Sequence, residues 1–285
     1  MNLQSLLTHS VHPKHMGNVR HFVHKPGGLL SRYVREILWI RSTCSRTQVL
    51  LPETALTLVL RQSGSASLRT EPLPAAVISG LQPRSRLVEH SAASSLVVVR
   101  FTEIGAAAVL SDRVDLLYNR TLPLDSVLPR QTIEEVQNIL ADTHGIRNQA
   151  AAVEQFLERH IDYSQSRASR PDVLSQIESA ARMIRAAHGR YSIATIARRT
   201  GMSLSALERQ FRASVGASPK HFSRLARLHY VCSLWSIGRS LTEIAAEAGY
   251  SDQPHMVRDF EIFTGTSPGR FFSNASPLNL PNFYK

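Results

Sequence analysis

Cysteine is scarce: the 285 residues contain two, Cys44 and Cys232, far apart in the chain. That excludes a disulfide-stapled scaffold and fits a reducing cytoplasm. Both are expected as small core residues rather than nucleophiles. Long apolar runs are also missing. The strongest, Leu96 to Val99 and Ile37 to Ile40, are strand-sized and far short of the roughly 18 residues a membrane span needs, so no membrane partner is expected. The first 25 residues are polar and carry no apolar signal core, so export is not expected either. There is no Gly-rich phosphate loop and no Gly-x-Ser-x-Gly elbow. Glu134-Glu135 opens a helix, where the macrodipole favours acids, rather than forming a catalytic pair. Residues 26–125 lack the His-x-His plus Glu pattern of a metal-binding cupin. His9, His12, His15, His21 and His24 crowd the N-terminus without Cys or carboxylates nearby, and read as a flexible tail over residues 1–25 rather than a metal tract. No enzyme activity, cofactor or metal is expected.

Acidic residues are the other shortage. Thirty-three Lys and Arg face 22 Asp and Glu, a net charge of +11. Such a balance points to a polyanionic partner. Between Arg182 and Arg227 ten basic residues (Arg182, Arg185, Arg190, Arg198, Arg199, Arg209, Arg212, Lys220, Arg224 and Arg227) accompany one acid, Glu208. A mixed-sign run is usually a solvated helix face, but a nearly single-sign segment of this length favours nucleic acid.

What is present divides the chain. With 43% apolar residues it has ample material for a core. Short runs at Tyr33–Ile40, Gln48–Leu51, Ala55–Leu60, Ala75–Ile78 and Leu96–Phe101, separated by Gly, Ser and Pro turns, predict a small antiparallel β-barrel or sandwich over 26–125. Trp39 and Tyr33 are expected in its core. The period then becomes helical: Ile133, Val136, Ile139 and Leu140 share one face, as do Val153, Phe156, Leu157 and Ile161. These helices, in a connector over 126–163, either cover the β domain or form a dimer seam. Residues 164–171 read as an exposed linker, a helical domain follows over 172–273, and 274–285 form a C-terminal tail.

The last third holds an internal repeat. The first copy has Ile196-Ala197, Gly201, Leu207, Arg209, Phe211, Gly216, Ser218-Pro219 and Phe222. The second has Ile244-Ala245, Gly249, Met256, Arg258, Phe260, Gly265, Ser267-Pro268 and Phe271. In each, a helix presents Ile and Ala inward, a Gly takes a left-handed turn, and Ser203, or Ser251 or Asp252, can cap the next helix. Leu207 with Phe211, and Met256 with Phe260, then face the core. This is a helix-turn-helix, used twice. The outward positions are Ser205, Glu208, Arg209 and Arg212 in the first copy and Gln253, His255 and Arg258 in the second. Arg can donate twice to guanine and Gln can pair with adenine. Arg212 suits phosphate, and Glu208 suits a cytosine amino group or the orientation of Arg209. Ser203 and Lys220 complete the candidate DNA-binding set. The segment from Pro219 to Ser236 predicts a helix of about 27 Å at 1.5 Å per residue, a strut that suits two readers in successive grooves about 34 Å apart. Leu225, Leu228 and Leu234 would seat it.

Residues from about Leu174 to Phe272 resemble the DNA-binding domain of the AraC/XylS family of bacterial transcription regulators. The matching signatures are Ile-Ala-x-x-x-Gly twice, Ser-Asp-Gln-Pro-His at 251–255, and Phe-x-x-x-x-Gly-x-Ser-Pro-x-x-Phe twice. Where the family usually ends on an aromatic and Arg, this chain has Phe271, Phe272 and Ser273. Tyr33-Val34, Trp39, Leu51-Pro52-Glu53, Ser79-Gly80 and Arg100-Phe101 are similar, more weakly, to the family's cupin-like sensor region. The resemblance implies an α+β multidomain protein: a cupin-like β domain with trailing helices, then an all-α domain with two helix-turn-helix units on a long helix. It implies double-stranded promoter DNA as partner, a small-molecule effector or homodimeric assembly as control, and RNA polymerase where the regulator activates. The competing expectation is a DNA-acting enzyme, such as an alkyl-transfer repair protein, which needs an activated Cys that two isolated cysteines do not supply.

Overall fold

The computed structural model describes residues 12–16, 18–110, 114–161, 171–235 and 239–274. Two antiparallel sheets build the N-terminal half. The larger contains β1 (His12–Met16), β2 (Val19–His24), β3 (Val34–Ser42), β5 (Thr57–Ser63), β8 (Ala76–Ser79), β10 (Ser94–Phe101) and β11 (Thr121–Pro123), in the order β1-β2-β3-β10-β5-β8-β11. The smaller contains β4 (Arg46–Leu50), β6 (Ala66–Leu68), β7 (Glu71–Pro72) and β9 (Arg86–His90), in the order β4-β9-β6-β7. Two open sheets therefore stand where a barrel was one expectation: no ladder joins the sheets among the described residues, and the domain is a sandwich.

Period-two alternation explains why the central strands look apolar on both sides. Ile37 and Trp39, Leu58 and Leu60, and Val97 and Val99 face outward into the main core. Helices α2 (Arg130–Asp142) and α3 (Ile146–His160) cover them with Ile133, Val136, Val153, Phe156 and Leu157. Of the two roles open to these helices, covering the sheet is the one found. Leu38, Ile40, Val59, Leu96 and Val98 face the smaller sheet instead.

The expected flexible tail over residues 1–25 is corrected in its second half. β1 pairs with β2, and β2 with β3, in continuous register from Val19↔Ser42 to His24↔Ile37. Ladder bonds come from the backbone, so a polar composition did not forbid an edge strand. His21 and His24 are buried, and His24 Nε2 lies 3.0 Å from Glu154 Oε1 on α3. His9, and the side chains of His12 and His15, lie outside the described residues, as do the linker's residues 164–170 and the tail beyond 274.

A short helix α1 (Gly105–Val109) follows β10, and the C-terminal half is helical: α4 (Pro171–Ala186), α5 (Ile193–Arg199), α6 (Leu204–Val215), α7 (Pro219–Trp235), α8 (Leu241–Glu247), α9 (Gln253–Thr264) and α10 (Pro268–Asn274). Leu174, Ile177, Ala181 and Ile184 of α4 are buried, as the spacing predicts. The two halves touch. His229 Nε2 on α7 donates to Pro52 O at 2.7 Å, and Ser85 donates from N to Phe263 O (2.6 Å) and from Oγ to Thr264 O (3.1 Å). Arg32 pairs with Glu178 at 3.0 Å, and Glu103 accepts from Arg35 (2.6 Å) and Arg185 (3.0 Å). One apolar core runs through both halves.

Candidate nucleic-acid interface

The two repeats fold alike. Ser192 caps α5 by accepting from Thr195 N, and Ser240 caps α8 in a full capping box with Glu243. Gly201 and Gly249 take the turns at φ 70° and 74°, a left-handed backbone that strains any residue with a Cβ. Ser203 then caps α6, its Oγ accepting from Ala206 N at 3.2 Å. In the second copy Asp252, not Ser251, is the cap, accepting from His255 N at 2.6 Å. That bond holds the Asp252 carboxyl below the usual carboxylate range. Pro254 sits in the first turn of α9, where a missing N–H costs little. Leu207, Phe211, Met256 and Phe260 are all buried.

With those faces turned inward, the opposite faces are exposed. Ser205, Arg209 and Arg212 lie at i, i+4 and i+7 along α6, one stripe in solvent. Arg209 makes no hydrogen bond or ion pair within the described residues. Glu208 lies 3.6 Å from Arg212 Nη2 and makes no ion pair with Arg209 among the described residues. On α9, His255 and Arg258 are exposed one turn apart. Gln253 is half-buried, its Oε1 accepting from Thr242 Oγ1 at 2.8 Å. His255 Nδ1 is 3.0 Å from Ser251 Oγ, and its ring meets Tyr250 edge-on at 5.2 Å. Arg258 Nε reaches back to Pro254 O at 3.3 Å. Lys220 is exposed in the first turn of α7. The supporting residue Thr242 escaped the sequence, because its partner is fixed only once the turn is built, and Ser251, one of the two expected caps, supports His255 instead.

The strut is present and is seated by the expected leucines, with polar contacts added. α7 spans 17 residues, about 26 Å at 1.5 Å per residue. Leu225, Leu228 and Leu234 are buried. Arg224 and Arg227, part of the basic run, are structural: Arg224 pairs with Asp259 on α9, and Arg227 Nη2 donates to Gly189 O at 2.7 Å while lying over the Tyr250 ring. Arg185 and Arg190 are likewise engaged, with Glu103 and Ala187 O. Arg182, Arg198, Arg199, Arg209, Arg212 and Lys220 are exposed, as are Arg185 and Arg190 despite those contacts.

A family model, described as a helix-turn-helix domain, matches residues 196–274. These residues form an AraC-type helix-turn-helix domain. The AraC-type domain makes the chain a DNA-binding transcription regulator. Among solved structures, ToxT from Vibrio cholerae is 12% identical, covering 83% of this chain and 97% of its own at a TM-score of 0.46. ToxT with an unsaturated fatty acid bound is 14% identical, covering 84% and 94% at 0.45. A probable AraC family transcriptional regulator from Rhodopseudomonas palustris is 27% identical, covering 36% of this chain and 99% of its own at 0.32. No curated protein matches. No helix among the described residues is long and apolar enough to cross a membrane.

Away from the AraC-type domain, a cavity of about 180 Å³ lies between the two sheets of the sandwich. Its walls are mostly apolar, with Arg46, Arg61, Arg86, Arg100 and His90 among them. Burial lowers the Arg46 and Arg61 guanidiniums from their ordinary value and Arg86 to about 10. Burial and the charges of Arg46 and Arg61 push His90 down to about 4. Cys232 is buried, which drives its thiol up to about 12, the behaviour of a core residue.

Proposed function

We propose that this regulator reads two successive major-groove segments of promoter DNA with α6 and α9, and that the sandwich controls the reading. The observation that carries the reading is the paired geometry. Each unit buries one face of its second helix and leaves Arg209 or Arg258 exposed on the other, and a single buried helix links the units. Arg209 and Arg258 are the base readers. Ser205, Gln253 and His255 assist them, while Arg212, Lys220 and the backbone around the Ser203 cap meet phosphate. Glu208 steers Arg212. One chain supplies both readers, so two-groove reading does not require a second copy.

Control is proposed to pass through the contacts between the halves. Leu51 and Glu53 line the cavity, and Pro52 between them accepts from His229 on the strut. Occupation of the cavity then biases how the strut sits, shifting an equilibrium that already exists. The test is separate replacement of Arg209 and Arg258 by Ala, assayed against a selected site and its single-base variants. Each change is expected to cost about 1–3 kcal/mol on the cognate site and to relax discrimination at its own base pair. Equal weakening on every sequence would refute the assignment.

A further inference from the structure

The sandwich cavity has arginines at both ends and an apolar middle. At one end β4 and β9 set Arg46 opposite His90, close to Arg61. Arg46 Nη1 donates to Gln48 Oε1 at 2.6 Å and Arg61 Nη2 to Leu73 O at 2.7 Å. Neither arginine has a carboxylate partner among the described residues. More telling, Arg46 Nε and Nη2, and His90 Nδ1, are buried without a hydrogen-bond partner among those residues. Nε and Nη2 form one edge of the guanidinium, the edge that donates two parallel bonds to a carboxylate. A buried cation whose best donor edge is unused is costly unless an anion completes it.

The other end differs. Arg100 is neutralised by Glu36 at 2.9 Å and Glu53 at 2.6 Å, and Arg86 is spent on Thr121 Oγ1 and on Ser79 Oγ at 2.9 Å. Glu53 there repels an incoming carboxylate. Between the ends the wall is Leu38, Ile40, Val59, Val88, Leu96 and Val98. Arg86 and His90 are four residues apart on β9, about 13 Å at 3.3 Å per residue, which is room for a medium-length apolar body.

We infer that this cavity binds a small amphipathic monocarboxylate, its head group on the Nε–Nη2 edge of Arg46 beside Arg61 and His90, its apolar body along the Leu38–Val98 wall. Neutral ligands leave the two guanidiniums uncompensated, and cations are repelled. The inference rests on the reading of the sandwich as the controlling half of the regulator.

Calorimetric titration of the full chain with decanoate and with decanol tests it, the two probes sharing an apolar body and differing in the head group. Decanoate is expected to bind at least about tenfold tighter than decanol. Arg46→Met is expected to erase that ratio and leave decanol binding in place, with Arg61→Met reducing it as a second variant should the first fail to fold. Arg86→Met, at the far end, is expected to keep the ratio. Equal affinities, no decanoate binding, or a ratio intact in a folded Arg46→Met chain would each overturn the inference. DNA retention by the unliganded chain, measured on the same preparation, separates the two readings. Lost decanoate selectivity with DNA binding intact removes this inference alone, whereas absent DNA binding with selectivity intact removes the regulator reading.

Discussion

Arg224 on the strut grips Asp259 on the second reading helix with two donors on one oxygen, Nε at 2.8 Å and Nη2 at 2.5 Å from Oδ1. The other oxygen accepts from Tyr250 OH at 3.0 Å, and only 10% of the Asp259 side chain is exposed. Burial, and after it the charge and hydrogen bond of Asp259, push the Tyr250 phenol well above its usual range. This network sets the rotation of α9 about its own axis and therefore which side chains α9 turns outward. Replacing Arg224 by Met strands a buried carboxylate and is expected to cost about 3 kcal/mol. Adding Asp259→Asn should recover part of that loss in urea unfolding, the non-additivity expected of partners.

Ser203 was expected among the DNA contacts, and its hydroxyl is spent on the α6 cap. Ser203→Ala is expected to destabilise the domain by about 1 kcal/mol with no DNA present, and Ser203→Asn to keep most of the stability. Thermal unfolding of the DNA-free protein checks both. Unchanged stability in Ser203→Ala would return the residue to a purely DNA-facing role.

Stability should rise with pH between about 4 and 6.5. His229 is fully buried and donates to Pro52 O; burial, with Arg100 and Arg35 nearby, outweighs the opposing Glu53 charge and the Pro52 hydrogen bond and lowers it from 6.5 to about 4. Its folded value lies below its unfolded one, so the unfolded chain binds the extra proton across this window. The stabilisation is full above pH 6.5 and lost as pH falls towards 4, on the order of 3 kcal/mol for this group. His90, also lowered to about 4, adds in the same direction. Urea titrations across that range should show the slope, and His229→Gln should remove its share.

How legible this was depends on where the information sits. The C-terminal repeat was readable because its Gly turns, Ser caps and Leu207/Phe211-type pairs each dictate local geometry that neighbours cannot override. β9 was not: Arg86-Leu-Val-Glu-His lacks an apolar face, since Arg86 and His90 turn towards the cavity. β1 and β2 were missed because an edge strand needs backbone donors more than apolar side chains. Arg224 and Arg227 looked like DNA contacts in a basic run, and only the fold brings Asp259 and Gly189 O to them. The role of α2 and α3 was undecided in sequence, because an amphipathic face does not name its partner.

Lys220, exposed at the start of α7, is placed against phosphate. Lys220→Ala is expected to weaken binding about equally on specific and random DNA. It should also lower the slope of log affinity against log salt by about 1. A sequence-dependent loss would make it a base reader instead.

The central claim is that one chain places two reading helices in consecutive grooves, and methylation-interference footprinting of the full chain on a selected site tests it most directly. Two interfering guanine clusters about one helical turn apart (about 10 base pairs) are predicted, the first lost in Arg209→Ala and the second in Arg258→Ala. A single cluster, abolished by one of these changes and untouched by the other, would contradict it.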